Sequence, residues 1–205
     1  MARYKGPSCR LCRREGKKLF LKGTRCNTEK CAMERRETPP GESPKRGMKR
    51  ASGYKIHLRE KQRAKRIYGI MEHQFRRYYE LAARKKGITG EILLQLLERR
   101  LDNIVYRLGF ASSRRSARQL VSHRHFLVNG QKTNIPSYLL KPGDQIRLKE
   151  KSRKIVEEVF KPDKEIPTWL SLDRSNFKGE MINLPKRDEI PLDIREELII
   201  ELYSK

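Results

Sequence analysis

Ser112-Ser113-Arg114-Arg115-Ser116-Ala117-Arg118-Gln119-Leu120-Val121-Ser122-His123, followed closely by Phe126-Leu127-Val128-Asn129-Gly130, is the stretch on which the fold turns. Its two serines are placed to start a helix, because a hydroxyl accepts a hydrogen bond from an amide of the first turn. The exposed amides, the hydroxyls, Arg114 and Arg115 form a site suited to a phosphate, with Arg118 and Ser122 one and two turns along the same face. Serine capping with solvated arginines accounts for the helix start but not for four arginines between Ser112 and Arg124. Asn129-Gly130 is a strong two-residue hairpin signal, and Lys141-Pro142-Gly143-Asp144 begins a turn before a strand from Gln145 to Leu148. With the helix that precedes Gly109, this reads as two helices against a small antiparallel sheet.

Working upstream, Ile67, Met71, Phe75, Tyr78 and Ala82 recur at steps of four, four, three and four, which predicts one long helix over residues 58–86. Its other faces carry Lys61, Arg63, Lys65, Arg66, Arg76, Arg77, Arg84, Lys85 and Lys86, while Tyr68 and Tyr79 suit either stacking on RNA or simple packing. Gly87 to Gly90 breaks the pattern, and Thr89 can cap a second helix from Glu91 to Leu108. Leu93, Leu94, Leu97, Leu101, Ile104, Val105 and Leu108 give that helix a wide apolar stripe, suited to a helix shared by two domains. Downstream of Pro162, Trp169, Leu170 and Leu172 form an apolar cluster. A helix from Pro191 to Tyr203 then aligns Ile194, Leu198, Ile199 and Leu202. Residues 188–205 hold six acidic and two basic side chains, so this end does not favour RNA. It packs on the basic helices or faces a basic protein neighbour; the stripe's need for a core favours the first.

All four cysteines, Cys9, Cys12, Cys26 and Cys31, lie in a C-x2-C-x13-C-x4-C pattern near the start. Two close pairs across a basic loop suit tetrahedral zinc, with Gly16 and Gly23 letting the loop bend and Arg10, Arg13, Arg14, Arg25 and Lys30 favouring thiolate. Four thiolates leave no open coordination position, so such a Zn2+ is structural. Two disulfides or a redox pair are the rival readings. Residues 37–53 are a basic Pro/Gly linker with too little to bury alone.

The chain has 205 residues and a formal charge of +24, and residues 1–100 carry 29 basic against 10 acidic side chains. Such self-repulsion is rewarded on a polyphosphate, where binding releases counterions, so nucleic acid is the leading partner. No run approaches the length of a membrane span, and no apolar export signal is evident, so the expectation is a protein that stays where it is made, with no membrane partner.

Arg100-Leu101-Asp102, Ser113-Arg114, Ala117 to His123, Val128-Asn129-Gly130 and Pro142-Gly143-Asp144 resemble the small RNA-binding module named after ribosomal protein four of the small subunit. Arg59-Glu60-Lys61-Gln62, Arg66-Ile67-Tyr68-Gly69, Gln74-Phe75-Arg76, Leu97-Glu98, Asn103 to Phe110 and Glu201 to Lys205 extend the resemblance to the bacterial ribosomal protein family itself, nearly end to end. The cysteines resemble that family's zinc-bearing branch. The resemblance implies a cytoplasmic, primary rRNA-binding constituent of the small subunit that attaches to the 5′ domain of 16S rRNA and nucleates the subunit body. It further implies a place near the mRNA entrance beside the fifth small-subunit protein, with an influence on decoding accuracy.

An enzyme reading finds little. Ser122-His123-Arg124-His125 has no evident orienting carboxylate, and neither a phosphate-binding P-loop nor a dinucleotide fingerprint occurs. Modules of this type are appended to pseudouridine synthases, whose catalytic aspartate often follows Arg-Leu. Asp102, however, lies inside the module, with no separate catalytic domain, and fits a structural ion pair better. A zinc-dependent DNA-binding regulator lacks the histidine ligands of a finger.

The expectation is an α+β protein without enzymatic activity or small-molecule substrate. It comprises a zinc-binding segment (1–36), a linker (37–53), a helical domain (54–97 plus 166–205) and an inserted RNA-binding module (98–165). RNA contacts are expected from Arg3, Lys5, Arg10, Arg13, Arg14, Lys49 and Arg50, and from Arg59, Lys61, Arg63, Lys65, Arg66 and Arg76. In the module they are expected from Arg100, Ser113, Arg114, Arg115, Arg118, Gln119, Ser122 and His123. Joint replacement of Arg114 and Arg118 is expected to weaken rRNA binding with little loss of folding.

Overall fold

The computed structural model describes residues 3–36, 38–41, 52–158, 160 and 165–204; Lys49, Arg50 and most of the 37–53 linker lie outside them. The chain divides into two compact units, Met1–Gly90 with Asp193–Lys205, and Glu91–Leu192.

In the first unit, α1 (Ser8–Glu15) ends at Gly16, whose φ of 64° supplies the left-handed residue that closes a helix. A 3-10 turn (Gly23–Asn27) and the short α2 (Ala32–Arg35) follow. The long helix expected over 58–86 is two helices, α3 (Gly53–Ile67) and α4 (Glu72–Ala83). Gly69, at φ 65°, separates them: its N–H donates to Arg66 O at 3.2 Å and that of Ile70 to Lys65 O at 3.1 Å. These are the two bonds of a Schellman closure, and they turn the chain while Ile67 and Ile70 stay buried.

In the second unit, the helix expected over 91–108 is also two. α5 opens at Thr89, before the boundary, and runs Thr89–Glu98; α6 runs Leu101–Arg107. Between them the backbone is extended at Arg100, and it hydrogen-bonds to the chain around residues 136–140: Leu101 N–H to Tyr138 O at 2.9 Å and Leu140 N–H to Arg99 O at 3.0 Å. α7 (Arg114–Ser122) is capped by Ser113, whose Oγ accepts from Ser116 N–H at 3.2 Å.

β1 (Phe126–Val128) and β2 (Gln131–Lys132) form the expected hairpin, with Asn129 and Gly130 at φ 48° and 79°, the signs a two-residue type I′ turn needs. β3 (Gln145–Leu148) appears where expected. After a 3-10 turn (Glu150–Ser152) and α8 (Arg153–Glu157), β4 (Leu170–Asp173) and β5 (Lys178–Met181) complete an antiparallel sheet of order β2-β1-β3-β5-β4.

The sheet therefore reaches beyond the expected module. β5 pairs with β3 in the register Ile146 to Gly179, so the sheet draws in the chain beyond the expected end of the module at 165, and the compact unit that holds it is Glu91–Leu192. Trp169, Leu170 and Met181 join Leu101, Ile104, Val105, Phe110, Ala117, Val121, Phe126 and Ile146 in one core between α6, α7 and the sheet.

The closing helix, α9 (Glu196–Ser204), begins five residues later than Pro191. It packs on α3 and α4, the arrangement favoured from sequence. Tyr203 stacks on Tyr79 with ring centroids 4.5 Å apart, its hydroxyl donates to Glu72 at 2.9 Å, and His57 meets Glu201 at 3.1 Å. Tyr68 is buried, so of the two expected roles for Tyr68 and Tyr79, packing is the one the structure displays.

Candidate RNA-binding surface

The basic residues fall into three groups when traced to their partners. In the N-terminal segment, Arg3, Lys5 and Arg10 are exposed. Arg13 Nε donates to Thr38 O at 2.8 Å and Arg14 Nη2 to Pro40 O at 3.1 Å, so both pin the chain that follows α2.

Most cations of α3 point to acidic groups of their own unit. Arg59 and Arg66 both pair with Glu15, whose side chain is almost wholly buried. Burial pushes the Glu15 carboxyl up, and the two arginines oppose that shift. Lys61 and Lys65 both hold Glu72, at 2.5 and 2.9 Å. Burial alone would raise that carboxyl, but hydrogen bonds from Lys61, Lys65 and Tyr203 outweigh it and hold it at about 2. Arg63 meets Glu60 at 3.3 Å and Asp193 at 3.0 Å, and Lys17 reaches Asp193 at 2.7 Å; their hydrogen bonds pull that carboxyl to about 2. Arg76 pairs with Glu80 one turn away at 3.2 Å and stays exposed. The α3 cations expected to face RNA thus join α3 to α1, α4 and the chain's end.

In the second unit, the expected set separates by burial. Arg100 is fully buried and grips Asp102 through Nε at 3.0 Å and Nη2 at 2.7 Å. Arg118, only 7% exposed, reaches the same carboxylate at 3.4 Å. Both therefore neutralise a buried acid, and the expectation that Arg118 is replaceable with little loss of folding is corrected. Asp102 is structural, as the ion-pair reading had it.

Arg115, Gln119, Ser122 and His123 are exposed along α7, and Arg114 is half-buried at its first turn. Arg114 Nε donates to Asn103 Oδ1 at 2.7 Å, and its guanidinium lies 4.6 Å from the centre of the Tyr106 ring. His123 stacks beside His125 at 6.2 Å. His125 Nδ1 lies 2.8 Å from Ser152 Oγ rather than meeting Ser122; burial first, then the charges of His123 and Lys149, lowers its pKa. A nucleophile-base pairing of Ser122 with His125 is not formed.

Other exposed cations of this unit, Arg124, Lys132, Lys141 and Arg147, were missed from sequence. Register places Lys132 beside Leu127, Leu127 beside Arg147 and Arg147 beside Lys178, a row across the face opposite the core. The alternation Gln145-Ile146-Arg147-Leu148 was the available signal.

The cysteines come from three elements: Cys9 and Cys12 from α1, Cys26 from the 3-10 turn, and Cys31 immediately before α2. All four are free thiols and all but Cys9 are buried. Lys22 N–H donates to Cys26 Sγ at 3.3 Å. Burial raises the Cys12 thiol, a hydrogen bond with the Leu19 backbone opposes this, and the neighbouring Cys26, Cys9 and Cys31 add to the rise. Among the described residues no three or more His, Cys, Asp or Glu side chains are arranged to hold a metal. Among them, too, no helix is long and apolar enough to cross a membrane.

A basic chain with a capped, arginine-bearing helix on a small antiparallel sheet has the features of an RNA-binding structural protein. Residues 3–98 match the family described as "Ribosomal protein S4/S9 N-terminal domain" and residues 99–146 that described as "S4 domain". The chain is 58% identical over 207 residues to small ribosomal subunit protein uS4 of Dictyoglomus turgidum, covering all of both chains. With the protein of the same name from Geotalea daltonii it is 59% identical over 211 residues, again covering all of both. The chain belongs to the small ribosomal subunit protein uS4 family.

Proposed function

We propose that this protein is a structural, non-enzymatic rRNA-binding constituent of the small ribosomal subunit in the cytoplasm. The observation that carries the reading is the start of α7, where buried Ser113 caps the helix and half-buried Arg114 and exposed Arg115 follow it, in a module of the S4-domain family. An N-terminal helix end combined with guanidinium groups is a phosphate site. The target is the 5′ domain of 16S rRNA, where binding nucleates the subunit body. The protein sits near the mRNA entrance, with the fifth small-subunit protein as neighbour, and so contributes to decoding accuracy. Arg3, Lys5, Arg10, Arg76, Arg115, Gln119, Ser122 and His123, all exposed, are the contacts this reading favours, with half-buried Arg114.

The test is a titration against the 16S 5′ domain, with tRNA and random duplex RNA as competitors, at two salt concentrations. Binding that survives competition supports the reading. Equal, steeply salt-sensitive binding to every RNA shows that only charge is recognised and refutes it.

The zinc reading is a second part of the proposal: Cys9, Cys12, Cys26 and Cys31 take up one structural Zn2+. Their spacing, the burial of three of them and the Lys22 N–H to Cys26 Sγ bond support it. When bound, the metal ties α1 to the chain ahead of α2. Elemental analysis of protein purified without chelator checks this. One zinc per chain, lost in Cys26→Ser, is expected, and protein that is folded yet free of zinc refutes it.

A further inference from the structure

We propose that Asn103 is a positioning residue for rRNA recognition: its side-chain amide, locked by Glu98, holds the Arg114 guanidinium ready for a phosphate at the start of α7. The inference rests on the functional reading above and concerns how that surface is prepared.

Glu98 closes α5 and is fully buried; Asn103 sits in α6 and is 1% exposed. Arg107 meets both oxygens of Glu98, at 2.9 Å from Nε and 2.7 Å from Nη2, which fixes the carboxylate plane. Asn103 Nδ2 donates to Glu98 Oε2 at 2.6 Å and to the Glu98 carbonyl at 3.0 Å. Both donors of the amide nitrogen are therefore committed, so the opposite end, Oδ1, is aimed one way only. It accepts from Arg114 Nε at 2.7 Å, and Tyr106 supports the guanidinium at 4.6 Å from its ring centre.

Four residues of α5 and α6 thus act on one arginine of α7. An arginine held this way loses less rotamer freedom when it meets an anion, which is how rigid placement raises affinity. The neighbouring pair gives the contrast. Arg118 is held by the Asp102 carboxylate, whose charge it shares with Arg100, whereas Asn103 accepts from Arg114 with a neutral oxygen. Asparagine serves here because it can accept from the arginine while donating to the buried acid.

The experiment is a double-mutant cycle on the full-length chain with a 16S 5′-domain transcript, each affinity measured at several salt concentrations. Trp169 fluorescence corrects each sample for its folded fraction. Asn103→Ala is expected to weaken binding about 10-fold and to reduce the salt slope by about one, as Arg114→Ala does, and the double variant is expected to be no weaker than Arg114→Ala. A merely structural Asn103 would lower the melting temperature but leave the affinity and salt slope of the folded fraction unchanged. Arg114→Lys, half-buried and with no Nε to be gripped, is the second probe and is expected to lose about as much as Asn103→Ala. Wild-type affinity in either variant, or additive losses in the cycle, overturns the proposal. Wild-type protein that does not prefer 16S rRNA over tRNA refutes the functional reading instead, and removes the premise of this one.

Discussion

Replacing Asp102 with alanine removes a carboxylate that Arg100 and Arg118 share. Arg100 has no exposed surface and Arg118 is 7% exposed, so neither guanidinium regains water without local opening. Breaking a buried ion pair from one side costs about 3–5 kcal/mol, because the remaining charge is left without its counter-ion. The unit Glu91–Leu192 holds about 100 residues, and at about 2.1 cal/mol/K of unfolding entropy per residue the expected fall in melting temperature is roughly 15–25 °C. Trp169 is the chain's single tryptophan, is 2% exposed, and lies in the same core as Leu101 and Ile104, so its fluorescence reports this unit's unfolding. Thermal melts of wild type and Asp102→Ala at low and high salt make the assay, and the loss is expected at both, since buried pairs are screened little. A shift below about 4 °C, or one that disappears in high salt, matches the ~0–1 kcal/mol of a surface pair and refutes the reasoning.

Gly179→Ala is expected to cost about 1–3 kcal/mol, read as a lower urea midpoint, because its Cβ would lie 2.4 Å from Leu108 Cδ1 inside the core. Ser113→Ala removes the cap of α7 and should cost about 1 kcal/mol by the same assay. Glu72 titrates at about 2 in the folded protein against an ordinary 4.5, so it binds protons less readily than in the unfolded chain. Its contribution is then fully present above about pH 5 and is lost as pH falls from there through 2, with partial exposure moderating the size. Glu72→Gln should flatten that acid limb of the stability curve, and an unchanged limb would show that the Lys61, Lys65 and Tyr203 bonds matter little.

Sequence pattern and structure diverge most at the charged residues. From the chain alone, Arg59, Arg66, Arg100 and Arg118 look alike: basic, in helices, in a +24 protein. The Arg100–Asp102 pair is close in sequence and was legible, but Glu15 lies 44 and 51 residues from Arg59 and Arg66, and Asp102 lies 16 from Arg118, and nothing in local periodicity assigns one arginine inward and the next outward. At the start of α7 the two adjacent arginines divide in the same way, Arg114 half-buried on Asn103 and Tyr106 and Arg115 exposed.

What the sequence determined by itself was whatever local chemistry decides: the Ser113 cap, the Asn129-Gly130 turn, the strand at Gln145 to Leu148, and the amphipathic stripes that supply the core. The break at Gly69 was equally local, a glycine able to take a positive φ, but the apolar periodicity running across it concealed the signal. Tertiary structure alone decided the break at Arg99-Arg100, where the backbone leaves the helix to bond with the chain near residues 136–140, about forty positions away. It alone also added β4 and β5 to the sheet, since β3 offers an open edge and Gly179 lets that strand lie against Leu108. Hydrogen-bond partners far along the chain leave no mark on nearest-neighbour pattern, and that is why these choices became visible only in the folded protein.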